Sequence, residues 1–226
     1  MPPPGVHMRG MKRRTLLASL AVLPMIPRAY AQPAPPMPAA LSPQDQVDVA
    51  RVAAYLNTIT TLKARFQQIA PNGDLSGGQA WIDRPGRMRF QYDPPAPFLL
   101  VAGHGLLVFN DSQLQQTSNI PVGRTPLGLL LSDNLKLSGD VTVTKVTRYP
   151  GQLQVTLLRT ATPGDGTLTL IFADAPLALR SWSVIDAQRK ETRVSLFDVQ
   201  LGGHFEQSLF SFVDPRALDS GGGNRQ

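Results

Sequence analysis

Few residues of this chain are of the types that perform chemistry. There is no cysteine, which excludes disulfides and thiolate chemistry together. Of the three histidines, His7 lies in the N-terminal stretch and His204 beside a Gly-Gly step, while His104 sits in Gly103-His104-Gly105 between two apolar runs. A histidine at such a hairpin tip ordinarily faces solvent, and two histidines without thiols or clustered carboxylates make a poor metal site. The acidic residues fall mostly at turns, where Asp is expected as a turn former, so no carboxylate pair stands out for acid–base work. A Gly-x-Ser-x-Gly elbow and a phosphate loop are both missing, and Gly221 to Gly223 precede no helix. No catalytic residue, metal ligand or cofactor can be named, and a non-enzymatic role is expected.

The arginines are the remaining candidates. Trp81-Ile82-Asp83-Arg84-Pro85-Gly86-Arg87-Met88-Arg89-Phe90-Gln91-Tyr92-Asp93-Pro94 combines them with alternating apolar side chains. After Pro85-Gly86, Met88, Phe90 and Tyr92 point one way and Arg87, Arg89 and Gln91 the other, as in a half-buried antiparallel strand. Pro fixes its own φ and Gly tolerates a positive one, so the Pro-Gly step reads as the turn of a hairpin. If that turn keeps register, Arg84 shares the face of Met88 and Phe90. An arginine there must be satisfied, and its five donors suit several backbone carbonyls at once. The alternative is a rim arginine whose stem lies on apolar surface and whose head reaches water.

The elements that position this hairpin begin after a segment that reads as an export signal. Lys12, Arg13 and Arg14 precede an apolar run from Leu16 to Ile26, and Ala29-Tyr30-Ala31 has the small-residue pattern of a cleavage site. The run is too short to span a bilayer. Arg13-Arg14 also fits a twin-arginine signal, but adjacent arginines are common in basic n-regions, so the Sec route is expected. Five of the 22 Lys and Arg lie in residues 1–31 with none of the 16 acidic residues, so removal leaves 17 basic against 16 acidic. The pI near 10.1 therefore describes the precursor, and no nucleic-acid partner is expected. Residues 32–43 are a Pro/Ala-rich leader, residues 44–216 suit a single domain, and residues 217–226 form a polar, Gly-rich tail expected to be disordered.

Within the domain, Ser42 is a plausible N-cap with Pro43 at the first helical position and Asp45 in the first turn. Val49, Val52, Ala53 and Leu56 fall near one face of that helix. From Leu62 onward the period is two, with Leu62, Ala64 and Phe66 alternating with Lys63, Arg65 and Gln67. The runs Phe98 to Ala102 and Leu106 to Phe109 predict strands buried on both faces or facing a cavity on one. A further strand is expected over Leu114 to Thr117. Pro121 to Leu131 breaks the pattern, because Thr125 can cap a short helix that is apolar nearly all round, either a plug in the core or a lid over an apolar cavity. A meander follows: Val141, Val143 and Lys145 on one face, then Leu153, Val155 and Leu157, then Leu168, Leu170 and Phe172, then Trp182 and Val184. Val194 and Leu196 change parity with Phe197, Val199 and Leu201, which suggests a bulge or a strand buried on both sides. A last strand is expected to hold Phe210 and Phe212. Roughly ten or eleven strands in hairpin order describe a mainly β fold, a strongly curved antiparallel sheet or unclosed barrel with short helices over its concave apolar face.

The order of parts resembles the periplasmic outer-membrane lipoprotein carrier family, LolA. The matching pieces are Phe66-Gln67-Gln68, Ser76-Gly77-Gly78, Trp81-Ile82-Asp83-Arg84-Pro85, Phe90-x-Tyr92, Gly105-Leu106-Leu107-Val108-Phe109, Thr125-Pro126-Leu127 and Phe210-x-Phe212-x-x-Pro215. The resemblance implies an unclosed β-barrel with a helical lid, a periplasmic location, and a chaperone that shields the acyl chains of lipoproteins between the inner and outer membranes. It implies acylated lipoproteins, an inner-membrane lipoprotein-releasing ABC transporter and an outer-membrane acceptor as partners, with the chain acting as a monomer. Alternatives are a carrier of another lipid, or a lipoprotein-sensing regulatory protein of the same fold. The family's arginine in the Arg-Pro step falls on Arg84, which is then a lid latch bonded to carbonyls of residues 124–131. The family's aromatic pair falls on Met88 and Phe90, so one member is aliphatic here. Phe66, Met88, Phe90, Leu100, Leu127, Leu130 and Leu131 are the expected acyl-chain contacts. The turn Asp186-Ala187-Gln188-Arg189 and Arg216 depart from the family pattern.

Overall fold

Ser42 starts helix α1 (Pro43–Thr58), as its sequence position predicts. Its hydroxyl accepts from the Asp45 amide at 3.1 Å, and the Asp45 carboxylate accepts from the Ser42 amide at 3.2 Å, a closed capping box. Val52 and Leu56 are buried on one side of the helix, with Val49 and Ala53 packed beside them. The coordinates are a computed structural model that describes residues 40–213. The export segment, most of the leader and the tail lie outside the described residues.

Eleven strands follow: β1 (Thr61–Ile69), β2 (Leu75–Asp83), β3 (Arg87–Tyr92), β4 (Phe98–Gly103), β5 (Leu106–Asp111), β6 (Gln116–Pro121), β7 (Val141–Tyr149), β8 (Gln152–Arg159), β9 (Gly166–Asp174), β10 (Leu177–Asp186) and β11 (Glu191–Leu201). They form one sheet in the order β6-β5-β4-β3-β2-β1-β11-β10-β9-β8-β7, each pair antiparallel. The sheet is therefore a meander joined to a meander by the β1–β11 pairing, with β6 and β7 as its outermost strands among the described residues. The barrel does not close. Its curvature shows in one aromatic contact: Phe90 on β3 and Trp182 on β10 have ring centroids 6.1 Å apart although three strands separate them in the sheet.

Register bears out the hairpin. Ile82 pairs with Met88 and Asp83 with Arg87 across the three-residue turn, where Gly86 takes φ +76°. The β1–β3 strands lie close because Gly78 carries no side chain: a Cβ there would meet the Gln91 carbonyl at 2.1 Å and the Phe66 ring at 2.7 Å. The parity change in the last strand is a bulge. Lys63 pairs with Gln200 and Arg65 with Phe197, so the extra residue sits around Asp198, whose φ is +51°. Phe197 consequently faces outward and is half exposed, while Val199 returns to the core face.

Several expectations need correction. A second bulge, at Thr144, turns Lys145 outward, so Val141 and Val143 are not followed by Lys145 on the inner face but by Val146. The strand expected over Leu114 to Thr117 starts at Gln116, because the Asp111 carboxylate accepts from the amides of Gln113 and Leu114 and holds them in a turn. β4 and β5 are not buried on both faces: Leu106 is 43% exposed, and only Val101 is buried on the outer side. The strand expected around Phe210 is a 3-10 turn, Gln207–Phe210. β11 already pairs with β1 and β10, so the chain after it cannot add a strand beside β11. Phe210 instead lies on the outer face of β3 and β4, its ring 6.0 Å from the Arg87 guanidinium, with the Leu209 carbonyl accepting from Arg89 at 3.1 Å.

Candidate functional site

The inner face of the barrel is apolar on every strand from β1 to β4 and from β7 to β11. Leu62, Ala64 and Phe66 meet Ala80 and Ile82, then Met88, Phe90 and Tyr92, and on the other side Val155, Leu157, Leu168, Leu170, Phe172, Trp182, Val194 and Leu196 complete one continuous core. Phe66 anchors an aromatic group in it, its ring 4.9 Å from Phe90 and 5.0 Å from Tyr92. Burial pushes the Tyr92 phenol up to about 12, while its hydroxyl donates to Gln68 Oε1 at 2.8 Å.

Residues 122–140 link the two edge strands and supply a plug for this face. Thr125 caps the 3-10 helix Pro126–Leu131 by accepting from the Gly128 amide at 3.0 Å. The expected cap and span hold, but the winding is 3-10, not α. Gly128 is required, because a Cβ there would stand 2.2 Å from the Val122 carbonyl. Leu129, Leu130, Leu131, Leu135 and Leu137 are all buried in the same core as the barrel strands. In this state the plug leucines themselves fill the concave face.

Arg84 joins the plug to the helix. Its Nε donates to the Ser132 carbonyl at 2.8 Å, its Nη1 to the carbonyls of Leu56 and Ile59 at 2.5 and 3.0 Å, and its Nη2 to Ser132 at 2.5 Å and to Asn57 Oδ1 at 3.3 Å. The acceptors expected among residues 124–131 thus lie just beyond them and, in α1, on a second element. The reason is geometric: the last carbonyls of a helix have no partner within it, and α1 ends where the Arg84 fork arrives. Burial pulls the Arg84 pKa down and nearby Asp133 opposes the shift. The same turn adds a backbone bond, Gly86 N–H to the Leu131 carbonyl at 2.8 Å.

Two contributors escape sequence reasoning. Asn57 presents its side-chain amide to the backbone of Leu135, donating to its carbonyl and accepting from its amide, both at 2.9 Å. The buried carboxylate of Asp48 receives Arg148 from β7 at 2.6 Å and Arg51 at 3.1 Å, fixing α1 over the inner face. Nothing local marks Asn57. Asp48 could have been noticed, since it lies four residues before Val52 on the apolar side of a helix.

All seven residues expected at the apolar site come together. Phe66, Met88, Phe90, Leu130 and Leu131 are buried in the common core, and Leu100 and Leu127 pack against it half-buried. His104, φ +52°, and His204 are remote from it on exposed turns. Groups of carboxylates and histidines able to hold a metal are not found among the described residues.

A barrel open along one seam, apolar inside, and shut by a segment that one arginine pins to a helix defines a protein of the carrier class. The sequence profile of the outer membrane lipoprotein carrier protein LolA matches residues 57–213, and the chain belongs to that family. An outer-membrane lipoprotein carrier protein of Legionella pneumophila is 30% identical over 175 residues, covering 73% of this chain and 84% of that protein. One from Methylococcus capsulatus is 27% identical over 179 residues, covering 75% and 85%. Among solved structures, a LolA superfamily protein from Nitrosomonas europaea aligns over 73% of this chain and 97% of that one at 8% identity, with a TM-score of 0.42.

Proposed function

We propose that the protein is exported to the periplasm by its N-terminal segment, residues 1–31, and carries acylated lipoproteins there as a monomer. It receives them from an inner-membrane lipoprotein-releasing ABC transporter and passes them to an outer-membrane acceptor. Residues 32–43 serve as the leader and residues 44–216 as the carrier domain. The observation that carries the reading is that one latched plug fills an otherwise continuous apolar interior.

Magnitudes support reversible loading. Shielding one acyl chain of about 14 methylenes, at about 0.8 kcal/mol each, gains on the order of 11 kcal/mol. Withdrawing the three buried leucines of the 3-10 helix costs about 1.5–3 kcal/mol apiece, and each bond of the Arg84 fork that breaks adds about 1.5–3 kcal/mol. The terms are of similar size, so a chain can displace the plug and still be released. Phe66, Met88, Phe90, Leu100, Leu127, Leu130 and Leu131 contact the chain, and Arg84 sets the ease of opening.

The test is mass spectrometry of what co-purifies with the mature protein, followed by transfer of a radiolabelled lipoprotein from inner-membrane vesicles. Met88→Glu sets an unpaired charge against the chain and is expected to abolish uptake, by at least tenfold, with circular dichroism still showing the sheet. Wild-type uptake by a folded Met88→Glu protein, or a wild-type protein that never acquires acylated ligand, would exclude the reading.

A further inference from the structure

Arg159 ends β8 beside the seam of the barrel and lines two adjoining cavities. The outer one, about 610 Å³, carries Arg124, Asp140, Thr162 and Asp165 on its walls. The inner one, about 290 Å³, is bounded by plug leucines Leu129, Leu135 and Leu137 and by Val141, with Lys136, Asp140 and Arg159 also on its walls. The two share Asp140 and Arg159, so charged groups stand beside apolar ones where they meet, which suits an amphipath. Arg159 is short of acceptors at this junction. Its Nη2 donates to the Thr125 carbonyl at 3.2 Å, but its Nε is out of reach of water and has no acceptor among the described residues. Thr125 also caps the 3-10 helix of the plug. Displacing the leucines of that helix pulls on the carbonyl Arg159 now uses, and the guanidinium, its Nε already without an acceptor, then needs new ones.

Granting the carrier function proposed above, on which this rests, we infer that Arg159, with Arg124 on the same cavity wall, binds the ester and amide carbonyls where acyl chains join a lipidated cysteine. The chains then run through the inner cavity toward the space of the plug leucines. The charge pattern selects among amphipaths. Two arginines and two aspartates share the outer cavity, so a phosphate gains from one pair what it loses to the other. Neutral carbonyls accept from the guanidinium without that repulsion.

Binding of a synthetic dipalmitoylglyceryl-cysteine peptide is compared with that of diphenylhexatriene, a hydrocarbon probe without carbonyls, and of dipalmitoylphosphatidylglycerol. Both the peptide and the probe must lift the same plug, so losing the Thr125 bond cancels in their affinity ratio. Arg159→Gln is expected to lower the peptide-to-probe ratio about tenfold, the worth of one hydrogen bond to a charged group. Arg124→Gln, at an exposed position, is expected to lower it by about threefold, and decides alone if Arg159→Gln does not fold. Unchanged ratios in the folded variants would overturn the inference while leaving the carrier function intact. Wild-type preference for the phosphatidylglycerol would overturn the carbonyl assignment. A wild-type protein that binds neither peptide nor probe would remove the carrier function and the inference with it.

Discussion

Arg84 illustrates what a residue's type can and cannot say. Its face followed from the alternation of Met88 and Phe90, and its need for carbonyls from five donors on an apolar face. Which carbonyls it found depended on where α1 ends, just before Ile59, itself 25 residues before Arg84 in the chain. Because its acceptors lie at different angles, the planar fork matters more than the charge. Arg84→Lys should lose about 1–3 kcal/mol of stability, read from urea unfolding, and admit acyl ligand faster. Arg84→Leu should go further, loading readily but releasing to the acceptor slowly. Equal rates of loading and release in both variants would make Arg84 a structural residue only. Tyr92 offers a second check. An unfolded tyrosine ionises near 10.0, whereas Tyr92 keeps its proton until about 12, so between those values the unfolded chain binds fewer protons and stability falls as pH rises. Stability is fully present below that window. Tyr92→Phe should therefore lose less stability between about pH 10 and about pH 12 than the wild type does. An identical loss would place the alkaline sensitivity elsewhere.

At the scale of elements, local signals were legible and distant ones were not. The capping box of α1 and the Pro85-Gly86 turn are written in residues within three or four positions of one another, and both stand where their chemistry put them. The bulge near Asp198 was visible as a change of parity. The bulge at Thr144 was not, since Lys145 looked like an ordinary alternating residue until pairing with Thr156 fixed its face. Phe210 read as strand because alternation with Phe212 is a β signal, yet β11 is paired on both sides and offers the chain leaving it no adjacent edge. Asn57 and Arg159 carry no pattern at all; their roles arise from contacts 78 and 34 residues away. The plug shows how a glycine can be as informative as a leucine. Gly128→Ala forces the 3-10 turn away from the Val122 carbonyl, and since the turn meets the core through Leu129, Leu130 and Leu131, the strain falls on the closed state. The variant should lose about 1–3 kcal/mol of stability and load acyl ligand more readily. A loss of stability with unchanged loading would show that the turn shifts without opening.

For the whole molecule, the question is whether the plug is core or door. β9 and β10 are each hydrogen-bonded to neighbours on both sides along most of their length. The plug has far fewer ties: Gly86 to Leu131 at 2.8 Å and the side chains of Arg84, Asn57 and Arg159. A segment bound by a handful of bonds opens at a free energy well below global unfolding, even when its leucines are buried. Amide hydrogen exchange should therefore divide the chain. Residues 126–135 are expected to exchange through local opening, at least tenfold faster than the inner strands β9 and β10, and insensitive to low denaturant. An acylated peptide should speed exchange in that segment further, because it occupies the core the leucines vacate, while sheet amides slow or stay unchanged. Arg84→Leu should produce part of the same acceleration without ligand. If the plug amides instead exchange only with global unfolding, and ligand leaves them protected, the leucines of residues 127–137 belong permanently to the core. The acyl chain would then have no interior to enter.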